Sequence, residues 1–179
     1  MPRKIAIIAN AARKQLDDIS KLPATLFETT RPGEATEIAR RCSGEFDTIV
    51  AMGGDGTVNE CINGMSTTTT LGIIPTGTGN DFARSLKIRR EDAVERILRG
   101  NTIEVDLCEL SYISFEGREE SRRYINIAEA GFGAMVTWMA ERAAQYVPSK
   151  LKFITALFYA LPKFRDQQFT VNGKKVECA

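Results

Sequence analysis

The stretch Thr48–Met65, TIVAMGGDGTVNECINGM, decides how the rest of the chain is read. An apolar, β-branched run ends in a glycine-rich turn, and the turn leads straight into a segment with helical spacing. That order is the signature of strand, tight loop and helix in an α/β unit. Glycines let backbone amides approach a ligand closely, and the first amides of the following helix favour phosphate. Asp55 is the odd residue, a carboxylate in a turn that otherwise suits an anion. Either it caps a helix N-terminus, or a Mg²⁺ or a nucleotide donor group lies between it and the phosphate.

The same grammar runs through the first hundred residues. KIAIIAN (4–10), TLFETT (25–30), DTIVAMGG (47–54) and TLGIIPTG (70–77) are short and mostly apolar on both faces, as parallel strands covered by helices should be. GEATEIARRC (33–42), TVNECINGM (57–65), NDFARSL (80–86) and EDAVERILRG (91–100) carry helical spacing between and after them. In the last of these, Ala93, Ile97 and Leu98 make one stripe and Gly100 a C-cap. Segment 11–22 is a short helix at most, and TTTT (67–70) is a loop.

From about residue 103 the pattern changes. NTIEVDLCELSYISF (101–115) and SRRYINIAEAGFG (121–133) are strand-like and flank a charged turn, EGREE (116–120), which predicts an antiparallel hairpin. Glu104 and Asp106 alternate with Ile103, Val105 and Leu107, and read as the solvent side of a strand rather than a catalytic pair. AMVTWMAERAAQ (134–145) and KLKFITALFYALPKF (150–164) are helical. The second is apolar almost all round, so a buried helix is expected, with a lipid-facing element as the alternative. Trp138 and Met139 read as core. A final hairpin turns at Asn172-Gly173, and its strands have no partners in the sequence. The expected fold is an N-terminal, open, mostly parallel, three-layer α/β domain over 1–103. An antiparallel β-sandwich domain over 104–179, truncated, is expected to follow.

Composition narrows the chemistry. The chain of 179 residues is 43% hydrophobic and 26% charged with net charge +1, which argues against a nucleic-acid-binding face. There is no histidine. Ser-His-Asp and Cys-His catalysis and histidine-ligated zinc are therefore excluded within this chain. Cys42, Cys61, Cys108 and Cys178 are scattered without a CxxC pair and read as reduced thiols. The N-terminal apolar run is too short for a signal peptide or a membrane span.

A second loop, PTGTGND (75–81), follows the strand LGII. In a parallel sheet the loops after strands share the carboxyl edge, so this loop and GGDGT (53–57) should converge on one crevice. Thr57, Thr76 and Thr78 would add hydroxyl donors there. The plainer reading makes both loops tight βα turns, with Asp55 and Asn80 or Asp81 as helix caps. Neither loop is a Walker A sequence or a GxGxxG fingerprint.

GGDGTVNECINGM followed by LGIIPTGTGNDFARSL closely resembles the diacylglycerol kinase catalytic domain family, which includes bacterial lipid kinases and sphingosine kinases. The wider superfamily holds NAD kinase and phosphofructokinase. The GGDGT core is shared across the superfamily, whereas NE-x-x-NG and P-x-GT-x-ND-x-A look specific to the lipid kinases. TRPGEA (30–35), INIAEAGFGAMV (125–136) and SKLKFITALFYAL (149–161) also look like family segments.

The resemblance implies an ATP-dependent lipid kinase, working at the cleft between the two domains. It would pass the γ-phosphoryl group of Mg-ATP to the hydroxyl of a diacylglycerol-like lipid. Carried over by position, the nucleotide contacts fall on Asn10, Thr29, Gly53, Gly54, Asp55, Gly56, Thr57, Val58, Asn59, Glu60, Gly77 and Thr78. Asp55 is given the catalytic role of positioning phosphate and Mg²⁺. The general base and the metal ligands are expected downstream of this chain. Asn10 is followed by Ala-Ala-Arg-Lys and lacks the Pro and Gly of the family's motif, which makes Arg13 and Lys14 alternative phosphate contacts. Glu129 is a candidate cleft residue. The implied protein is cytoplasmic, touches the membrane peripherally, binds no nucleic acid and has the homodimer among its expected states. Two rival readings are a nucleotide-binding but catalytically incomplete fragment or regulatory relative, and a kinase for a soluble acceptor such as NAD.

Overall fold

The computed structural model describes residues 3–10, 19–114, 116–143, 146–148, 151–165, 167–172 and 174–178. Four parallel strands, β1 (Ile5–Asn10), β2 (Ala24–Thr29), β3 (Thr48–Gly53) and β4 (Thr70–Pro75), form one sheet in the order β2-β1-β3-β4. The chain moves outward from β1 to β2 and then returns past it to β3. The strand order therefore reverses between β1 and β3, where open α/β sheets place their ligand crevice.

The two central strands are buried on both faces, which is why they read as unbroken apolar runs. Their side chains still alternate. Ala6, Ile8, Ile49 and Ala51 enter one core with α1 (Glu34–Cys42), α2 (Asp55–Gly64) and α3 (Asp81–Ser85). Ile5, Ile7, Val50 and Met52 enter the other, with Leu22 and α4 (Arg90–Arg99). Each fully buried Ile or Val contributes about 1.5–3 kcal/mol, so the middle of the sheet anchors this unit. Helix α1 buries Ala35, Ile38, Ala39 and Cys42, spaced for one face, and carries acids in its first turn and arginines in its last. Gly64 lets α2 cross α1 closely, since a Cβ there would stand 2.2 Å from the Thr36 carbonyl oxygen.

Gly100 ends α4 in the left-handed region at φ 69°, as its position in the sequence implies. The buried stripe of α4 is Ala93 and Val94, with Ile97 packed beside them, while Leu98 is 49% exposed. Cys42 and Cys61 are buried free thiols and Cys108 an exposed one. Burial pushes the Cys61 thiol up to about 12.

Strands β5 (Cys108–Ile113) and β6 (Glu119–Tyr124) form the expected antiparallel hairpin. It begins later than the sequence suggests. Residues 101–107 alternate like a strand but pair with nothing described, and Ile103 is 70% exposed, so Glu104 and Asp106 do not sit on a strand. By compactness the chain divides into residues 1–126 and 127–179.

The second unit holds α5 (Phe132–Ala143), α6 (Lys152–Ala160) and the hairpin of β7 (Gln167–Val171) and β8 (Lys174–Cys178). Val171 pairs with Lys174, leaving a two-residue turn, and Asn172 takes the positive φ of 49° that such a turn requires. Ala140, Ala156 and Ala160 are the buried residues of the two helices, and the rings of Phe132 and Phe164 meet edge to face at 5.2 Å. The expectation of a buried α6 is overturned. Phe153, Ile154, Phe158, Tyr159 and Leu161 are all at least half exposed. Trp138 is also exposed rather than core, with the Arg142 guanidinium 4.1 Å above its ring. Among the described residues no helix is long and apolar enough to cross a membrane.

Candidate functional site

Parallel pairing in register brings the strand ends level. Asn10 stands opposite Thr29, and Gly53 opposite Pro75. The loop after β3 and the loop after β4 therefore leave the sheet side by side. The Thr76 N–H donates to the Gly53 carbonyl at 2.9 Å, extending the ladder one step past the strands. Beyond it the two backbones touch. A Cβ on Gly77 would lie 2.5 Å from the Gly54 Cα, so neither position has room for a side chain pointing at the other. Thr57 leans over Gly53 in the same way, its Oγ1 only 2.1 Å from where a Cβ would be. The expected convergence of the two glycine loops is what the fold builds.

Side chains then fix the loops. Asn80 adopts the left-handed region at φ 54°, which Asn tolerates better than most residues. Its Oδ1 accepts from the Gly77 N–H at 2.9 Å and its Nδ2 donates to the Gly77 carbonyl at 2.8 Å, closing the PTGTGN loop on itself. Asp55 is a cap, but of a helix other than its own. Its Oδ2 accepts from the Asp81 N–H and its Oδ1 from the Phe82 N–H, each at 3.1 Å. The acid of the first loop thus holds the helix that follows the second. Asp81 itself pairs with Arg84.

Glu60 does the same for α1, where its Oε2 accepts from the Ala35 N–H at 3.1 Å. The Thr36 hydroxyl donates to the Glu60 carbonyl at 3.0 Å. Upstream of α1, Glu34 gathers the Thr30 and Arg31 N–H groups. The Thr30 amide above all holds the Glu34 carboxyl below the usual range.

Three helices start at this edge, and two have their first amides engaged by carboxylates from elsewhere in the chain. Helix α2 does not. Its N-cap Gly54 offers no side chain, none caps the helix, and the space a Cβ on Gly56 would enter is open. The positive end of the macrodipole and the first-turn amides of α2 are therefore left without a side-chain cap. Among the described residues no cluster of three acids or thiols could hold a metal ion by itself. A Mg²⁺ here would have to share its coordination with phosphate oxygens.

The remaining sequence candidates are placed as follows. Asn10 ends β1, exposed at the carboxyl edge, and Thr78 is exposed in the second loop. Thr29 is buried, its hydroxyl donating to the Ala9 carbonyl at 3.3 Å. Val58 turns its side chain into the core, and its N–H closes the first helical turn on the Gly54 carbonyl. Asn59 donates from Nδ2 to the Arg123 carbonyl at 3.3 Å. Arg13 and Lys14 lie outside the described residues. Glu129 approaches Gly133 so closely that a Cβ there would meet its carboxylate at 2.9 Å.

Sequence reading singled out Asn63 only as part of NE-x-x-NG, without a role, and missed Arg123. Asn63 donates to the Arg123 carbonyl at 2.9 Å and accepts from the Arg123 N–H at 2.9 Å, imitating a strand neighbour for β6. The Arg123 guanidinium in turn donates to the Met65 carbonyl at 3.1 Å. Every polar residue of NE-x-x-NG is thus bonded to a neighbouring element. No local signal in the sequence could have paired Asn63 with a residue so far along the chain.

An open parallel sheet with two glycine loops meeting at its carboxyl edge, one of them opening an uncapped helix, defines an open α/β fold of the kind that places ligands at that edge. The chain belongs to the diacylglycerol kinase catalytic domain family, whose model matches residues 4–110, more than half of the chain. It is 40% identical over 131 residues to a diacylglycerol kinase of Bacillus subtilis, covering 69% of this chain and 38% of that protein. It is 37% identical over 153 residues to a diacylglycerol kinase of Staphylococcus saprophyticus, covering 79% of this chain and 45% of the relative. The chain therefore spans less than half the length of these curated relatives. A crystal structure described as a diacylglycerol kinase from Bacillus anthracis superposes with a TM-score of 0.60 at 26% identity, covering 98% of this chain and 63% of that one.

Proposed function

We propose that the chain is the nucleotide-binding part of an ATP-dependent lipid kinase. The observation that carries this reading is the uncapped start of α2 between the two touching glycine loops. The first-turn amides of α2, from Gly54 through Thr57, would receive the phosphates, joined by the Thr78 hydroxyl and the glycine backbone at Gly77. Asn10 and Thr29, level on adjacent strands, would border the nucleotide. Asp55, Asn59 and Glu60 would shape the site through the helices and strand they hold, and Val58 through its place in the core. Bound with the nucleotide, Mg²⁺ would neutralise phosphate charge during transfer. Catalysis of this kind rests on positioning and electrostatics, which suits a chain without histidine.

The acceptor proposed is a lipid hydroxyl of the diacylglycerol kind, as the names of the relatives suggest. On this reading residues 1–103 serve the nucleotide, 104–179 open the acceptor domain, and the protein works in the cytoplasm at a membrane surface. The exposed apolar side chains of α6, beside Lys152 and Lys163, fit contact with lipid. The test is calorimetric titration of the chain with Mg-ATP, followed by γ-labelled ATP offered with diacylglycerol in micelles or with NAD. Saturable binding and label in the lipid support the reading. Absence of binding, or label in NAD alone, overturns it.

A further inference from the structure

We infer that Asp55 is a positioning residue that latches the two glycine loops together, acting on nucleotide through α3 and not as a ligand of the metal. The inference rests on the nucleotide reading above. Helix α3 has five residues, too few to hold itself by propensity, and its N-cap Asn80 spends its side chain on Gly77. The amides of Asp81 and Phe82 therefore depend on Asp55, which meets one with each carboxylate oxygen. Gly79 keeps the latch open to this geometry, since a Cβ there would sit 3.2 Å from Asp55 Oδ2. Together with the Gly54–Gly77 contact, the latch ties the loops at two points, at the N-cap and the first residue of α2.

This arrangement also accounts for an acid in a phosphate turn. The two α3 amides compensate the Asp55 charge before any anion arrives, so the carboxylate does not leave a bare negative group beside the first turn of α2. A metal-ligand role and a latch role make different demands. A metal ligand matters only when metal is present. A latch matters to nucleotide with or without metal.

The experiment titrates the 179-residue chain with ATP in Mg²⁺ and again in EDTA, for wild type, Asp55→Asn and Gly79→Ala, and follows hydrogen exchange at the Asp81 and Phe82 amides. Asp55→Asn keeps one acceptor oxygen and breaks one of the two bonds, whereas Gly79→Ala keeps the charge and crowds it. The latch predicts that both variants weaken ATP by about tenfold, the worth of one charge-assisted hydrogen bond, with and without Mg²⁺ alike. Exchange at residues 81 and 82 accelerates in both. The proposal is overturned if Asp55→Asn erases only the gain that Mg²⁺ gives while metal-free binding and amide protection stay at the wild-type level. If wild type binds no ATP under either condition, the nucleotide reading itself has failed and takes the latch's role in binding with it. Thermal melts of each variant confirm that a folded chain is being compared.

Discussion

At the residue scale, the site is built from places where a side chain would be an obstruction. Gly77 is the clearest. Its φ is not in the left-handed region, so no backbone strain forbids alanine there; the obstacles are the Gly54 Cα at 2.5 Å and the Asn80 Oδ1 at 2.7 Å from where a Cβ would stand. Gly77→Ala must therefore push the second loop away from the first. Local overpacking of this kind costs about 1–3 kcal/mol, small beside the buried centre of the sheet, so the variant should fold with a lowered melting temperature. Its Mg-ATP affinity, read by calorimetry, should fall by more than the stability loss alone would suggest, because the α2 start no longer faces a closed loop. Unchanged affinity would mean that the second loop does not border the ligand. The glycines themselves were legible in the sequence, as turns of strand–loop–helix units. Which backbone each glycine makes room for was not, because a close approach is a property of two segments and each segment carries only half of it.

At the element scale, helix α2 works as a hub. Asp55 reaches α3, Glu60 reaches α1, and Asn59 and Asn63 reach β6. No side chain caps its own N-terminus. The asparagine pair explains why the β5–β6 hairpin belongs to the first compact unit, since a two-stranded hairpin is marginal without further packing. Asn63→Ala removes a donor and an acceptor that β6 relies on and leaves the Arg123 N–H and carbonyl without those partners. The expected loss is about 1–3 kcal/mol, concentrated locally. Hydrogen exchange should show it as faster exchange at Arg123 and its hairpin neighbours, with the amides of β1 and β3 unchanged. A uniform loss across the sheet would refute the local clamp. Strands and helices were readable at this scale because periods of 2 and 3.6 survive in a single sequence. Segment 101–107 misled because alternation marks a strand's faces but cannot supply its partner. Helix α6 misled because an all-apolar composition looks the same whether the helix is covered or bare.

At the scale of the molecule, the question is whether ligand binding is felt by the whole chain or by one part. All the proposed phosphate contacts, the latch and the clamp lie within residues 1–126, and the second unit, 127–179, has its own helix pair and hairpin. A ligand that binds only the native form stabilises what it binds by mass action, about 2.7 kcal/mol at a free concentration about 100 times Kd. That stabilisation reaches only the amides whose exchange requires opening of the binding unit. Saturating Mg-ATP should therefore slow exchange strongly in β1, β3 and the first turns of α2 and α3, more weakly in β6 through the Asn63 contact, and not at all in α5 and α6. Peptide-level mass spectrometry of the intact chain reads all of these regions in one experiment. Equal protection of α5 and α6 would show that nucleotide is bound by both units. Protection confined to residues 3–126 would instead locate the donor site within the parallel sheet and its loops, where the strand ends Asn10, Thr29, Gly53 and Pro75 come level.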